Sequence, residues 1–494
     1  MIEYHKIKTL KQLEKAGYTS KTVKEELRDN LIEKLKKGEN VFPNILGYDN
    51  TVIPAVQNAI LAKHNINLLG LRGQAKTSIA RDMVGLLDEY IPVIEGSELN
   101  DDPLDPISRF GIDLLAEKGE ETPIAWLHRN DRYTEKLATP DVTVADLIGD
   151  LDPIKAANLK LSYSDERVIH FGLVPKAHRG LFVINELPDL QARIQVALFN
   201  ILQEGDIQIR GFKLRLPLDI QFVFTANPED YTNRGSIITP LKDRIQSQII
   251  THYPNSLEIS KEITKQEARL SQAQKESVHI PEFMYDLIEQ VAIEARKSEF
   301  IDQKSGVSAR LTISAFEGMV SAAERRALIS GDNKTYVRLS DLYAVIPAIT
   351  GKVELVYEGE QEGAQSVASM LLGKAIRKQF PTYFPDPEML KRRKESDNPY
   401  VQIIQWFSKR ELDLMMNDSD KEYQKKLDEV KGIDALLKRY HPQSKDEQKY
   451  ILKELVLHGL GEYSLIGKNS MEEGMSFTDI LGELFSTSPE DFEE

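Results

Sequence analysis

Asn67-Leu68-Leu69-Gly70-Leu71-Arg72-Gly73-Gln74-Ala75-Lys76-Thr77-Ser78 is the stretch on which the fold turns. Ile66 to Leu69 is a short apolar run that reads as a buried strand. Thr77 to Leu87 carries apolar residues at helical spacing. A strand that feeds a glycine turn and opens a helix is the context of a phosphate-binding loop. Backbone N–H groups in such a turn form a nest for phosphate oxygens, and the helix N-terminus adds partial positive charge. Gly70, Gly73, Gln74, Ala75, Lys76, Thr77 and Ser78 are the candidate nucleotide contacts. Lys76 reaches the outer phosphates, and the Thr77 hydroxyl faces Mg²⁺. The usual pattern has glycine before the lysine; here it is Ala75, which fits if its φ stays negative.

Outward from the loop, two further strands end in polar residues. His178-Arg179-Gly180 leads into Leu181-Phe182-Val183-Ile184 and then Asn185-Glu186. Asp219 to Ala226 leads into Asn227-Pro228. Ligands of open α/β sheets bind at the carboxyl ends of the strands. An acid there serves Mg²⁺, and a second polarises the attacking water. Asn185 stands in the first place and offers a carbonyl without charge, so it reaches Mg²⁺ through water, with Asp189 as a compensating acid. Glu186 stands in the second. Asn227 places the water or meets the γ-phosphate. Arg244, in Leu241-Lys242-Asp243-Arg244, suits an arginine finger reaching a neighbouring subunit. Upstream, Ile45, Leu46 and Tyr48 suit an adenine pocket and equally suit ordinary core packing.

The remaining chain frames this core. Its 494 residues predict about three domains. Apolar content of 41% and charged content of 29% fit a globular chain. Cysteine is absent, which excludes disulfides, thiolate metal sites and cysteine nucleophiles. No apolar run is long enough to span a membrane, and the first residues lack a signal peptide's apolar core, so a cytoplasmic location is expected. A net charge of −15 argues against direct nucleic-acid binding. Ile91 to Glu95 reads as a second strand with Pro92 favouring an edge, and residues 96–178 read in part as insertion. Residues 256–350 are helical by pattern, as are 399–487 with Trp406 and Phe407 as core. Glu354 to Glu362 reads as a solvated loop. Pro381 to Asn398 reads as a linker, and Ser488 to Glu494 as an acidic tail.

Taken in order, these motifs resemble those of AAA+ ATPases of the helix-2-insert clade, especially the magnesium chelatase ATPase (I) subunit and its MoxR relatives. The resemblance spans roughly residues 40–350. It implies an α/β core with a parallel five-stranded sheet in the order 5-1-4-3-2, a helical lid and assembly into a ring, usually a hexamer. It implies a nucleotide-binding core over 39–255, ahead of which residues 1–38, with Leu10, Leu13, Leu27, Leu31 and Leu35 at helical spacing, read as a helical N-terminal extension. Within that core it implies an insert near 146–172 and a hairpin at 205–216. A lid over 256–375 follows, and the helical region over 376–494 departs from the family by extending beyond the chelatase pattern, which leaves a specialised partner role open. Lys76 and Thr77 match Walker A, Asn185 and Glu186 match Walker B, Asn227 matches sensor 1, Arg244 the arginine finger and Arg310 sensor 2. The implied activity is Mg²⁺-dependent ATP hydrolysis that remodels a partner, expected to be a von Willebrand factor A-domain protein. The alternatives are the motor subunit of a true Mg²⁺ or Co²⁺ chelatase, and a nucleotide-gated scaffold with little turnover. A sigma-factor activator is disfavoured, because no Gly-Ala-Phe-Thr-Gly-Ala loop is present.

Overall fold

The structure is a computed structural model. It describes residues 6–162, 165–209, 215–228, 236–390, 398–444, 446–471 and 473–480. The hairpin tip at 210–214, Glu229 and the acidic tail lie outside the described residues. The chain divides into two compact units, Met1–Tyr253 and Pro254–Glu494.

The first unit is built on a parallel sheet of five strands, labelled β1 to β5 in chain order. They are β1 (Ile66–Leu69), β2 (Tyr133–Leu137), β3 (Gly180–Asn185), β4 (Ile220–Ala226) and β5 (Ser247–Ile250). Their order across the sheet is β5-β1-β4-β3-β2, the order the family resemblance implied. Successive side chains of a strand face opposite ways, so the central strands feed two cores. Ile66, Leu68, Leu181, Val183 and Val223 join one, with Ile53, Ile79 and Met83 from flanking helices. Phe182, Ile184, Phe222 and Phe224 join the other, with Ile194, Leu198 and Leu241. Burial on both faces is why β3 and β4 read as continuous apolar runs.

The second strand of the sheet is β2, not the stretch read as such. Tyr90–Ile94 instead pairs antiparallel with Ile124–His128 in a separate two-stranded sheet. Pro92 lacks a backbone donor and suits that short ribbon. Strand β2 (Tyr-Thr-Glu-Lys-Leu) closes the edge of the main sheet, remains partly exposed and so lacks an apolar signature. The insert region forms a two-stranded ribbon, Gly149–Leu151 with Ile169–Phe171. Asp206–Gln208 pairs with Arg215–Pro217 as the stem of the expected hairpin.

Helix α1 (Val23–Lys37) precedes the loop and is stitched into the core. Thr22 and Glu25 form a reciprocal cap at its start, and Gly38 ends it in the left-handed region. Leu27 and Leu31 are fully buried, each worth about 2 kcal/mol. Glu26 accepts two hydrogen bonds from Arg132 at 2.7 and 2.6 Å, a buried pair. Helix α2 (Val52–Leu61) follows, and α3 (Lys76–Asp82) leaves the loop.

The second unit packs α4 (Glu282–Ala295), α5 (Arg310–Ser330), α6 (Ala364–Tyr383) and α7 (Asp446–Glu462) around one core. Trp406 and Phe407 are buried in it. Three readings of this half are corrected. Helix α6 runs through Pro381 into the stretch read as linker. Proline there cannot bond the Arg377 carbonyl, and the Tyr463 hydroxyl donates to that carbonyl instead at 3.3 Å. Residues 399–487 are not all helical: Leu412–Met415, Gly474–Thr478 and Gly467–Met471 form an antiparallel sheet. Tyr357–Glu362, read as loop, is a short helix. No helix among the described residues is long and apolar enough to cross a membrane.

Candidate functional site

Register brings the polar strand ends together. Leu69 of β1 lies opposite Ala226 of β4, and Ile184 of β3 lies opposite Phe224. The residues that follow β1, β3 and β4 therefore emerge side by side at one sheet edge. Between β1 and α3, Gly73 and Ala75 both take positive φ, at 71° and 55°. The expectation of a negative φ at Ala75 is corrected: the turn into α3 needs a left-handed residue, and alanine adopts it at a cost of about 1 kcal/mol. Gly70 is obligatory for another reason. A Cβ there would overlap Thr251 Oγ1 and Gln74 Oε1.

Lys76 is buried, and its ammonium donates to the carbonyls of Gly70 and Leu71 and to Asn227 Oδ1 at 2.8 Å. Asn227 donates through Nδ2 to Glu186 Oε2 at 2.7 Å. Glu186 itself sits at φ 55°, just past the end of β3, and its backbone N–H donates to Thr225 Oγ1. The Thr77 hydroxyl donates to Asn185 Oδ1 at 3.4 Å, and the Thr225 hydroxyl does so at 3.1 Å. Lys76, Thr77, Asn185, Glu186 and Asn227 thus form one connected group.

The carboxylate that the structure places against Asn185 is not that of Asp189. It is Glu135 of β2, whose Oε1 accepts from Asn185 Nδ2 at 2.6 Å. Glu135 Oε2 accepts from Arg81 Nε and Nη2 at 3.1 and 2.9 Å, and from Tyr133 Oη at 3.0 Å. Burial, and then the Glu135 charge, push the Tyr133 phenol up, so it stays a donor. Sequence reasoning missed Glu135 because its relevance depends on β2 pairing with β3. A polar Tyr-x-Glu alternation beside the sheet was its only local trace.

Other expected residues fall as follows. Tyr48 and Ile45 are buried in the core beneath the loop, and Leu46 is half-buried. The Tyr48 hydroxyl donates to the carbonyls of Gln74 at 3.1 Å and His252 at 2.7 Å. Burial pushes that phenol up to about 12. Gln74 is held by Thr251 Oγ1, which donates to its Oε1 at 2.7 Å. Ser78 is exposed on α3. Arg244 ends the helix Thr239–Arg244, stacks over the Phe199 ring at 3.9 Å and donates to Gln203 Oε1 at 3.0 Å. Those contacts lie away from the loop. Arg310 is exposed at the start of α5 in the second unit.

The residues present fit a nucleoside triphosphate with Mg²⁺. A buried ammonium lies over the loop, Gly73 takes the positive φ of a tight turn, and Thr77 and Asn185 offer hard oxygen donors of the kind Mg²⁺ takes. Sheet order and site together define a nucleotide-binding core of the AAA+ kind. In sequence, residues 159–250 match the sigma-54 interaction domain, a stretch that holds β3 to β5.

The chain resembles the magnesium-chelatase ATPase subunit. The magnesium-chelatase 38 kDa subunit of Cereibacter sphaeroides is 25% identical over 210 residues, covering 41% of this chain and 55% of that protein. The archaeal Lon protease of Halobacterium salinarum is 26% identical over 211 residues, covering 39% of this chain and 29% of that protein. The chain thus spans about half or less of the length of these relatives. Among solved structures, a complex between subunits BchI and BchD of magnesium chelatase, based on a single-particle cryo-EM reconstruction, aligns at 19% identity and a TM-score of 0.33, covering 65% of this chain and 98% of that chain.

Proposed function

We propose that the chain is an ATP-hydrolysing ring motor of the chelatase-subunit and MoxR kind, acting in the cytoplasm to remodel or activate a partner protein. The observation that carries this reading is the convergence of Lys76, Thr77, Asn185, Glu186 and Asn227 at the ends of three adjacent strands. ATP brings the phosphoanhydride bond to be cleaved, and Mg²⁺ brings the charge that balances its phosphates. The chain's own residues do the rest. Lys76 leaves its carbonyl partners for phosphate oxygens. Glu186 accepts the proton of the attacking water, and Asn227, already bonded to Glu186, aims it. Thr77 would hold Mg²⁺ directly and Asn185 through a water. Arg244 serves a neighbouring subunit in a ring, a hexamer in this reading, and Arg310 links turnover to movement of the second unit. The partner fits a von Willebrand factor A-domain protein, and chelation of Mg²⁺ or Co²⁺ would need a separate tetrapyrrole-binding chain.

One observation favours a second reading. Asn185 takes the place where an aspartate serves Mg²⁺, which suits a scaffold that binds ATP and turns over little. Steady-state ATP hydrolysis, with assembly state measured alongside, separates the two. The motor reading expects Mg²⁺-dependent turnover that Glu186→Gln lowers by about 10²-fold or more. Nucleotide binding without turnover in any assembly state sinks the motor and leaves the scaffold.

A further inference from the structure

Glu135 has no place in the loop or strand-end motifs, yet it is bonded to the residue that makes this site unusual. Its Oε1 meets Asn185 Nδ2 at 2.6 Å. Strand register explains the meeting. Leu137 pairs with Asn185, and Glu135, two residues earlier, shares its face of the sheet. Arg81 clamps the other carboxylate oxygen. Arg81 lies four residues after Thr77, so both project from one side of α3. Thr77, Asn185, Glu135 and Arg81 therefore close a circuit through the loop helix and two strands.

We propose that Glu135 is a positioning residue that replaces the missing aspartate by fixing the Asn185 amide. This rests on the nucleotide-site reading above. An ionised carboxylate only accepts hydrogen bonds. Glu135 therefore demands the amide NH₂, which forces the Asn185 carbonyl oxygen toward Thr77 and the metal side. Without Glu135 the two ends of the amide can exchange, and an NH₂ aimed at a cation repels it. Aspartate at 185 is also incompatible with Glu135, since two carboxylates would then face each other at about hydrogen-bond distance and repel. Asparagine at 185 and glutamate at 135 work as a pair.

Binding of fluorescent methylanthraniloyl-ADP to the full chain, titrated with Mg²⁺ or held in EDTA, tests this without turnover. Glu135→Gln should raise the Mg²⁺ concentration for half-saturation about tenfold, the usual scale for an outer-shell partner. Affinity in EDTA should not change. Asn185→Asp alone should bind Mg²⁺ no better than the wild type. The double variant Glu135→Gln/Asn185→Asp should recover wild-type Mg²⁺ affinity or exceed it, which a folding defect could not produce. If Glu135→Gln titrates like the wild type, or Asn185→Asp alone tightens Mg²⁺ as much as the double variant, the pairing is wrong and the site reading stands. If the wild type binds no methylanthraniloyl-ADP with or without Mg²⁺, the site reading falls and the pairing with it.

Discussion

At the residue scale, the loop carries a strain that its sequence can relieve. Ala75 sits at φ 55° at the head of α3, where glycine pays nothing. Ala75→Gly should stabilise the first unit by about 1 kcal/mol. Urea unfolding reads this as a higher midpoint with an unchanged slope, and a lower midpoint would contradict the left-handed geometry. Lys76, Thr77, Asn185, Glu186 and Asn227 were legible in the sequence because each lies at a strand end or in a short motif, where local order fixes the side chain's place. Glu135 was not legible. Its partner lies 50 residues away in sequence, and only strand register brings the two together.

At the element scale, the entries to β3 and β4 hold a buried histidine and a half-buried aspartate with opposed titrations. The Asp219 backbone N–H donates to His178 Nδ1 at 3.0 Å, and Asp219 Oδ2 caps the Val23 N–H of α1 at 2.7 Å. Burial raises the Asp219 carboxyl to about 6, against a bond to Val23 and the charges of Arg179 and Arg132, with Glu26 adding to the rise. Its contribution to stability is full below pH 3.8 and is lost as pH rises through about 6. Burial, and then Arg179, lower His178 to about 4, while Asp101 and Asp102 oppose the fall. Its contribution is full above pH 6.5 and is lost as pH falls through about 4. The two largely offset each other in the wild type. Asp219→Asn removes one of them and keeps an acceptor for Val23. The difference in stability between variant and wild type should move in the variant's favour by about 2 kcal/mol from pH 4.5 to pH 7.5. Urea midpoints at the two pH values measure it, and parallel profiles would refute it. Element by element, the buried strands announced themselves as apolar runs. Strand β2 and the strands near Leu412 and Gly467 did not, because edge position and short length leave mixed, half-exposed residues.

At the scale of the whole molecule, each unit has its own core. The first unit's cores draw on residues up to Ile249, and the second unit's core begins at Val278. Separate cores predict separate cooperative unfolding. Calorimetry of the full chain should show two transitions, and saturating Mg-ADP should raise only one, by several degrees. A single transition, or equal shifts in two, would count against this division. Helical content in the second unit was readable from periodicity, since Glu282–Ala295 and Arg310–Ser330 keep apolar residues on one side. The role of that unit has no local signature, because a docking surface is defined by shape rather than by spacing.

The last residues of the first unit are fastened to the nucleotide loop. Thr251 holds the Gln74 side chain, the Tyr48 hydroxyl spans the Gln74 and His252 carbonyls, and the Tyr253 hydroxyl donates to the Arg72 carbonyl at 3.2 Å. Mechanically, this makes the polypeptide leaving the unit a tether with its anchor in the Gly70–Lys76 turn. Thr251 also ties the exit to β1, its N–H donating to the Leu69 carbonyl at 2.8 Å, so a displacement of the turn is shared among the exit residues and the end of β1.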